Sequence, residues 1–170
     1  EEIGMEGFKP DERIRGPMQW SADEHGGFTI GVPWEAVNRD YPEKNVALQS
    51  ADPDSLLTLY RTLIHLRNQH AALRVGGYFD VQASDSKIYS LLRASKEEAV
   101  LVVLNLSTEP VREYALTMTK GPLSGEYRTV PMLGDGRSDD LAANAQGGFD
   151  DFTPLLELSA SGIYLFQLQP

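Results

Sequence analysis

The sequence predicts a mainly β protein. A C-terminal antiparallel Greek-key β-sandwich is expected over residues 77–170, preceded by a long loop and one α-helix within residues 1–76. Three observations carry this. Residues 77–170 hold seven short runs rich in β-branched and aromatic residues, separated by turn signals. Residues 52–74 hold the clearest 3.6-residue apolar period in the chain. Residues 1–51 hold no lasting period of either kind.

The first 51 residues contain both tryptophans, Trp20 and Trp34, six of the fifteen glycines, and Pro10, Pro17, Pro33 and Pro42. A loop this long inside a folded protein is unusual and often functional. In the helical stretch, Leu56, Leu59, Tyr60, Leu63, Ile64 and Leu66 recur at three- and four-residue spacing and give one apolar face. Asp52 is expected to cap this helix, with Pro53 at its first position. Gly76-Gly77 should stop it. One helix cannot bury such a face alone, so an uncovered face should drive self-association.

The expected strands are Tyr78–Val81, Lys87–Arg93, Ala99–Leu106, Val111–Met118, Glu126–Val130, Phe152–Leu158 and Ile163–Gln169. Ala99–Leu106 is almost wholly apolar and should lie centrally, covered on both faces. Gly134–Gly148 is polar and Gly-rich, which predicts a long mobile loop.

Composition narrows the function. Acidic residues outnumber basic ones 25 to 15, for a net charge of -10, which disfavours nucleic acid. Cysteine is absent, which excludes disulfides, thiolate catalysis and Cys-based zinc sites. No apolar run is long enough to span a membrane. Glu1–Glu6 carries neither an initiator methionine nor a signal peptide and reads as the interior of a longer chain, which leaves the compartment unassigned.

Most chemical motifs are missing. There is no Gly-x-Ser-x-Gly elbow and no phosphate-binding glycine loop. His65 and His70 are five apart and fall on different faces of a helix, which is wrong for a shared metal. Asp135–Asp140 holds carboxylates without the calcium-loop spacing, and the sequon at Asn105 lies on an apolar strand. The informative stretch is Arg13-Ile-Arg15-Gly-Pro-Met-Gln-Trp20, followed by Gly27-Phe-Thr29 and Pro33-Trp34. Aromatic rings stack on the C–H faces of a pyranose, and Arg and Gln hydrogen-bond its hydroxyls. The same residue types also make ordinary packing and cation–π contacts.

The order of these residues is more specific than their types. Arg15-Gly-Pro-Met-Gln-Trp20, Gly27-Phe28-Thr29, Pro33-Trp34, Val37-Asn38, Asn45-Val46, Asp52-Pro53-Asp54-Ser55 and Leu66-Arg67 resemble the α-amylase superfamily, glycoside hydrolase family 13. The nearest likeness is to its oligo-1,6-glucosidase, α-glucosidase and trehalose synthase branch. It covers residues 1 to about 80, and the rest fits the C-terminal β-domain in pattern alone.

The resemblance implies that residues 1–76 are the end of a TIM-barrel catalytic domain: the loop after the last strand, then the last helix. The remainder of that barrel is then this chain's missing partner, and the β-domain is mainly structural, capping it. The parent would be a retaining α-glycosidase acting on maltooligosaccharides, isomaltooligosaccharides or starch. Its catalytic carboxylates would precede residue 1, so the chain holds no catalytic residue and should be inactive alone. No metal or cofactor is expected in this chain, and calcium in the parent would be held upstream. Arg15 is the one substrate-binding residue carried over, lining the pocket for the terminal glucose. Gly16 departs from the usual Thr, which loosens the loop, and Trp20 is expected mainly to anchor it. Two other classes compete: a transglycosylase or isomerase of the trehalose synthase kind, and a stand-alone carbohydrate-binding β-sandwich. The C-terminal strands offer no tryptophan for the latter.

Overall fold

The computed structural model describes residues 1–7, 10–136 and 138–170, the side chain of Arg13 aside. That side chain and Arg137, both within motifs named above, lie outside the described residues. The chain forms two compact units, Glu1–Leu66 and Arg67–Pro170.

The first unit is less featureless than its sequence suggests. It holds a one-turn helix α1 (Asp11–Ile14), a 3-10 turn (Glu24–Gly27) and α2 (Val46–Ala51). These elements are too short to leave a periodic trace. Asn45 caps α2, its Oδ1 accepting from the Leu48 amide at 2.9 Å.

The expected helix over residues 52–74 is two helices, α3 (Leu56–Gln69) and α4 (Ala71–Val75). Asp52 does not cap α3. It closes α2, and its carboxylate accepts from the Asp54 amide at 2.9 Å in a local turn. The cap is Ser55, whose hydroxyl accepts from the Thr58 amide at 3.2 Å. No residue of α3 is buried. The break falls at His70, in extended conformation. There the Glu98 carboxylate binds His70 Nδ1 and accepts from the Ala72 amide at 3.1 Å, so a residue distant in sequence caps α4.

The second unit is mainly an antiparallel sheet of eight strands: β1 (Gly77–Ala83), β2 (Ile88–Ala94), β3 (Ala99–Asn105), β4 (Leu116–Lys120), β5 (Glu126–Leu133), β6 (Leu141–Ala142), β7 (Gly147–Phe152) and β8 (Ile163–Gln169). Their order is β6-β5-β8-β3-β2-β1-β4-β7. β1 pairs with β2 through Val81 and with β4 from Gln82, so it belongs to both arms of the sheet. Both arms feed one core, which joins Leu92, Leu101, Val103 and Phe166 to Leu116, Met118 and Phe149. β3 is central, with Val100 and Leu101 both fully buried, as its unbroken apolar run requires. Pro131 lies at a register irregularity in β5, where a missing N–H is tolerated.

Three strand expectations need correction. Only the end of Val111–Met118 is a strand, and Val111 makes an isolated bridge to Leu158. Phe152–Leu158 is not a strand; β7 precedes it and ends at Phe152. Pro154 has no N–H to donate, while Leu155 and Leu158 supply the apolar pattern from a buried coil. The expected loop Gly134–Gly148 contains β6, with Leu141 buried, and the start of β7. Its glycines mark close approach, since a Cβ at Gly148 would meet the Met118 carbonyl oxygen at 1.6 Å. Among the described residues no helix is long and apolar enough to cross a membrane.

Candidate functional site

The Arg15–Trp20 segment is held by polar contacts. Arg15 follows α1, and its amide donates to the Asp11 carbonyl at 3.1 Å. Its guanidinium lies 3.6 Å from the Asp11 carboxylate, and both side chains are more than two-thirds exposed. A pair so exposed contributes little to stability. The Arg15 fork is therefore presented to solvent with most of its donors uncommitted.

Gln19 is fully buried. Its amide Nε2 donates to the Lys44 carbonyl at 2.6 Å and to Asp40 Oδ1 at 3.1 Å, and its Oε1 accepts from Asn38 Nδ2 at 3.4 Å. Asn38 also donates to the Glu6 carbonyl, and the Lys44 ammonium bridges Asp40 at 3.0 Å and the Gly4 carbonyl at 3.1 Å. Backbone contacts complete the frame. The Gln19 and Trp20 carbonyls accept from the Val46 and Ala47 amides, two otherwise unpaired donors at the start of α2. The Trp20 and Ser21 amides donate to the Gly26 carbonyl. Gly26 has φ +67°, and a Cβ there would press within 3.2 Å of Val37.

This corrects the expectation that Trp20 anchors the loop. Trp20 is 51% exposed, and Trp34 is also more than half exposed. The neighbouring amide does the anchoring, because buried backbone carbonyls and a carboxylate need donors that an indole ring cannot supply in number. Asp40, Lys44 and Gln49 escaped sequence reading, and Asn45 entered it only as part of the family motif. The Asp40–Lys44 spacing of four was a visible signal, but the partners of Asn45 and Gln49 are set by folding.

The other candidates separate. His65 and His70 do not meet in one site, since His70 serves the Glu98 joint. Burial pulls the Glu98 carboxyl upward, but hydrogen bonds from His70, the Ala72 amide and Gln167, together with the attraction of His70, outweigh it and leave it below the ordinary carboxylate value. Asn105 is buried, with its amide donating to the Glu109 and Ser159 carbonyls, so its sequon is not presented at the surface. Among the described residues, no group of three or more His, Asp or Glu side chains gathers as a metal site would require.

Residues 2–76 match the family model of the alpha amylase catalytic domain. The chain therefore resembles the C-terminal part of an α-amylase superfamily enzyme, a glycoside hydrolase of family 13. Within that class the likeness is to the oligo-1,6-glucosidase branch. The chain is 41% identical to the oligo-1,6-glucosidase of Halalkalibacterium halodurans over 97 residues, 57% of this chain and 17% of that protein. It is 38% identical to the trehalose-6-phosphate hydrolase of Escherichia coli over 101 residues, 59% of this chain and 18% of that protein. Among solved structures, the trehalulose synthase of Pseudomonas mesoacidophila superposes with a TM-score of 0.67 at 30% identity, over 92% of this chain and 26% of that one. An isomaltulose synthase mutant of Erwinia rhapontici in complex with D-glucose gives 0.64 at 26% identity, over 93% and 26%. The structural likeness thus takes in strands beyond the residues that the family model matches. The chain spans about a fifth to a quarter of the length of these relatives.

Proposed function

We propose that this chain works as the closing part of a retaining α-glycosidase that acts on α-glucosides, such as maltooligosaccharides, isomaltooligosaccharides or starch. The observation that carries this is the catalytic-domain match over residues 2–76, combined with coverage of only 17% of the oligo-1,6-glucosidase's length. Retaining hydrolysis needs two carboxyl groups about 5 Å apart, one of them a general acid with a raised pKa. Glu98, the one carboxylate here bound by a histidine, a backbone amide and a glutamine among the described residues, is held below the ordinary carboxylate value as a helix cap rather than raised as an acid. In this reading, as the family resemblance implies, the catalytic pair belongs to the remaining part of the enzyme. In this reading α3 is the last barrel helix, and its apolar face, on which Leu59, Tyr60, Leu63 and Leu66 are only partly covered and Leu56 and Ile64 are exposed, supports that role. The strand order β4-β1-β2-β3 supports a Greek-key β-domain whose part is mainly structural.

In this reading Arg15 binds the terminal glucose. Its exposed fork provides donors for sugar hydroxyls, while the Gln19 network stiffens the segment behind it. A second reading, isomerisation with glucosyl transfer, is favoured by the likeness to trehalulose and isomaltulose synthases. The test has two arms. The 170-residue chain should release no glucose from maltose, isomaltose or sucrose. Joined to the rest of its catalytic domain it should do so, with Arg15→Ala lowering kcat/KM by about tenfold to a hundredfold. Turnover by the chain alone sinks the proposal. Isomers of sucrose in place of free glucose favour the second reading.

A further inference from the structure

The segment between β5 and β6 carries a reactive bond that the glycosidase reading does not use. Asp135-Gly136 is the one place in the sequence where an Asp or Asn precedes a glycine. The pair sits in a bend, and both residues are exposed. β5 and β6 end one side of the sheet, whereas α4 packs on β2 and β3. The segment is tied at both ends. At Gly134 (φ +86°) a Cβ would come within 2.5 Å of the Tyr164 ring and 2.7 Å of the Ile163 carbonyl oxygen, so the main chain is pressed onto β8 there. At the other end Thr129 is 5% exposed, and its hydroxyl lies 2.6 Å from Ser138 Oγ and donates to the Asp139 carbonyl. Between these ties Gly136 has φ +123°, and a Cβ there would come within 2.7 Å of Leu155 Cδ2. The fold therefore requires glycine directly after Asp135.

An aspartyl side chain can be attacked by the amide nitrogen of the next residue, and a Cβ on that residue is the main steric obstacle. Glycine removes it and frees the backbone to turn. We infer that Asp135-Gly136 is a site of spontaneous modification, at which the folded chain rearranges to an isoaspartyl linkage. The Gly136 nitrogen bonds to Asp135 Cγ, its proton and the carboxyl hydroxyl leave as water, and a succinimide ring closes. Water then adds at the main-chain carbonyl carbon of Asp135, whose bond to the Gly136 nitrogen breaks as that nitrogen regains a proton. The main chain now runs through the side chain, and the former main-chain carbonyl becomes a carboxylate. One water leaves and one returns, so the mass is unchanged and nothing is oxidised or reduced. Other candidates are blocked. Asn144 commits its Oδ1 to the Gln146 and Gly148 amides, and Asp85 accepts from the Lys87 amide. Asp52 precedes proline, which has no N–H to attack with. The product carries an extra main-chain carbon between two ties, so one tie must give. Gly134 is packed against Tyr164, while the Thr129 tie is made of hydrogen bonds alone, and it is the one that opens. The short β6 follows it directly.

The test ages the 170-residue chain at neutral pH. Each aspartate is then read by electron-transfer fragmentation of its peptide, and by methyl transfer from S-adenosylmethionine with an isoaspartate methyltransferase. The isomer should build up at Asp135 ahead of every other aspartate, with backbone amide shifts at residues 138–142 as it does. Asp135→Glu should abolish the product, because its longer side chain closes a larger ring. Asp135→Asn should reach the same product faster, with the mass change of deamidation. No product at Asp135 in the folded chain, whether or not the urea-unfolded chain forms it, overturns the proposal by showing that the ties hold the amide away from the side chain. A folded Asp135→Asn chain that keeps its mass overturns it for the same reason. Equal product at other aspartates, or methyl acceptance that persists in Asp135→Glu, overturns it as well. None of these outcomes touches the glycosidase reading, which has its own assay.

Discussion

The two units are stabilised by opposite means. In Arg67–Pro170 a broad apolar core runs through both arms of the sheet, with Leu92, Leu101, Val103, Leu116, Phe149 and Phe166 all nearly or wholly out of water. In Glu1–Leu66 the buried apolar side chains among the described residues are Ile3 and Pro17, and Gln19, Asn45 and Ser55 are buried too. Apolar burial is non-directional and tolerates change if volume is kept. A buried amide network is directional, so losing one partner strands the others. The first unit therefore has its geometry set by a few polar contacts. The second unit has the area needed to fold as a platform.

The sharpest way to break this contrast is to open the apolar core. Phe166→Ala should cost about 3–5 kcal/mol through lost burial and a cavity. Urea denaturation followed by the tyrosines of the second unit should show the midpoint fall. A fall of less than about 1 kcal/mol would mean that the core relaxes around the gap, contrary to a packed interior.

Gln19→Ala comes next, at about 1–3 kcal/mol, because Asp40 Oδ1 and the Lys44 carbonyl lose their donor. The effect should be local. Hydrogen exchange should quicken across residues 16–46, while protection of β2, β3 and β8 is unchanged. Equal loss of protection in both units would contradict the division of labour described here.

The smallest effect concerns pH. The Glu98 carboxyl is depressed in the folded chain, so its contribution is complete above the unfolded carboxylate pKa and is lost as pH falls through the folded value. Acid should thus loosen the His70 joint and fray α4. Exchange at the Ala72 amide should rise as the solution is acidified below about pH 4, the ordinary carboxylate range. Glu98→Gln should remove that dependence, and its persistence in the variant would assign it to another group.

The parts legible in sequence are those written in local pattern. The unbroken run Ala99–Leu106 announced a strand covered on both faces, and Val100 and Leu101 are fully buried. The alternation of Ile163–Gln169 and the period of residues 56–66 likewise gave elements close to those observed. The Arg15–Trp20 motif announced a family likeness that the catalytic-domain match supports. Less legible were elements whose pattern has another cause. The apolar spacing of residues 152–158 comes from coil residues that fill the core, whereas β7 is built on Gly147 and Gly148, poor strand formers chosen for close approach to Met118.

The sequence by itself determined which stretches bury apolar surface, that the charge is acidic, and which ordered motif relates residues 2–76 to a catalytic domain. Those properties follow from residue type and short-range spacing. Tertiary structure alone decided that Gln19 rather than Trp20 holds the loop, and that Glu98 splits one helix into two. Each of these joins residues distant along the chain, through directional bonds whose partners no local pattern names.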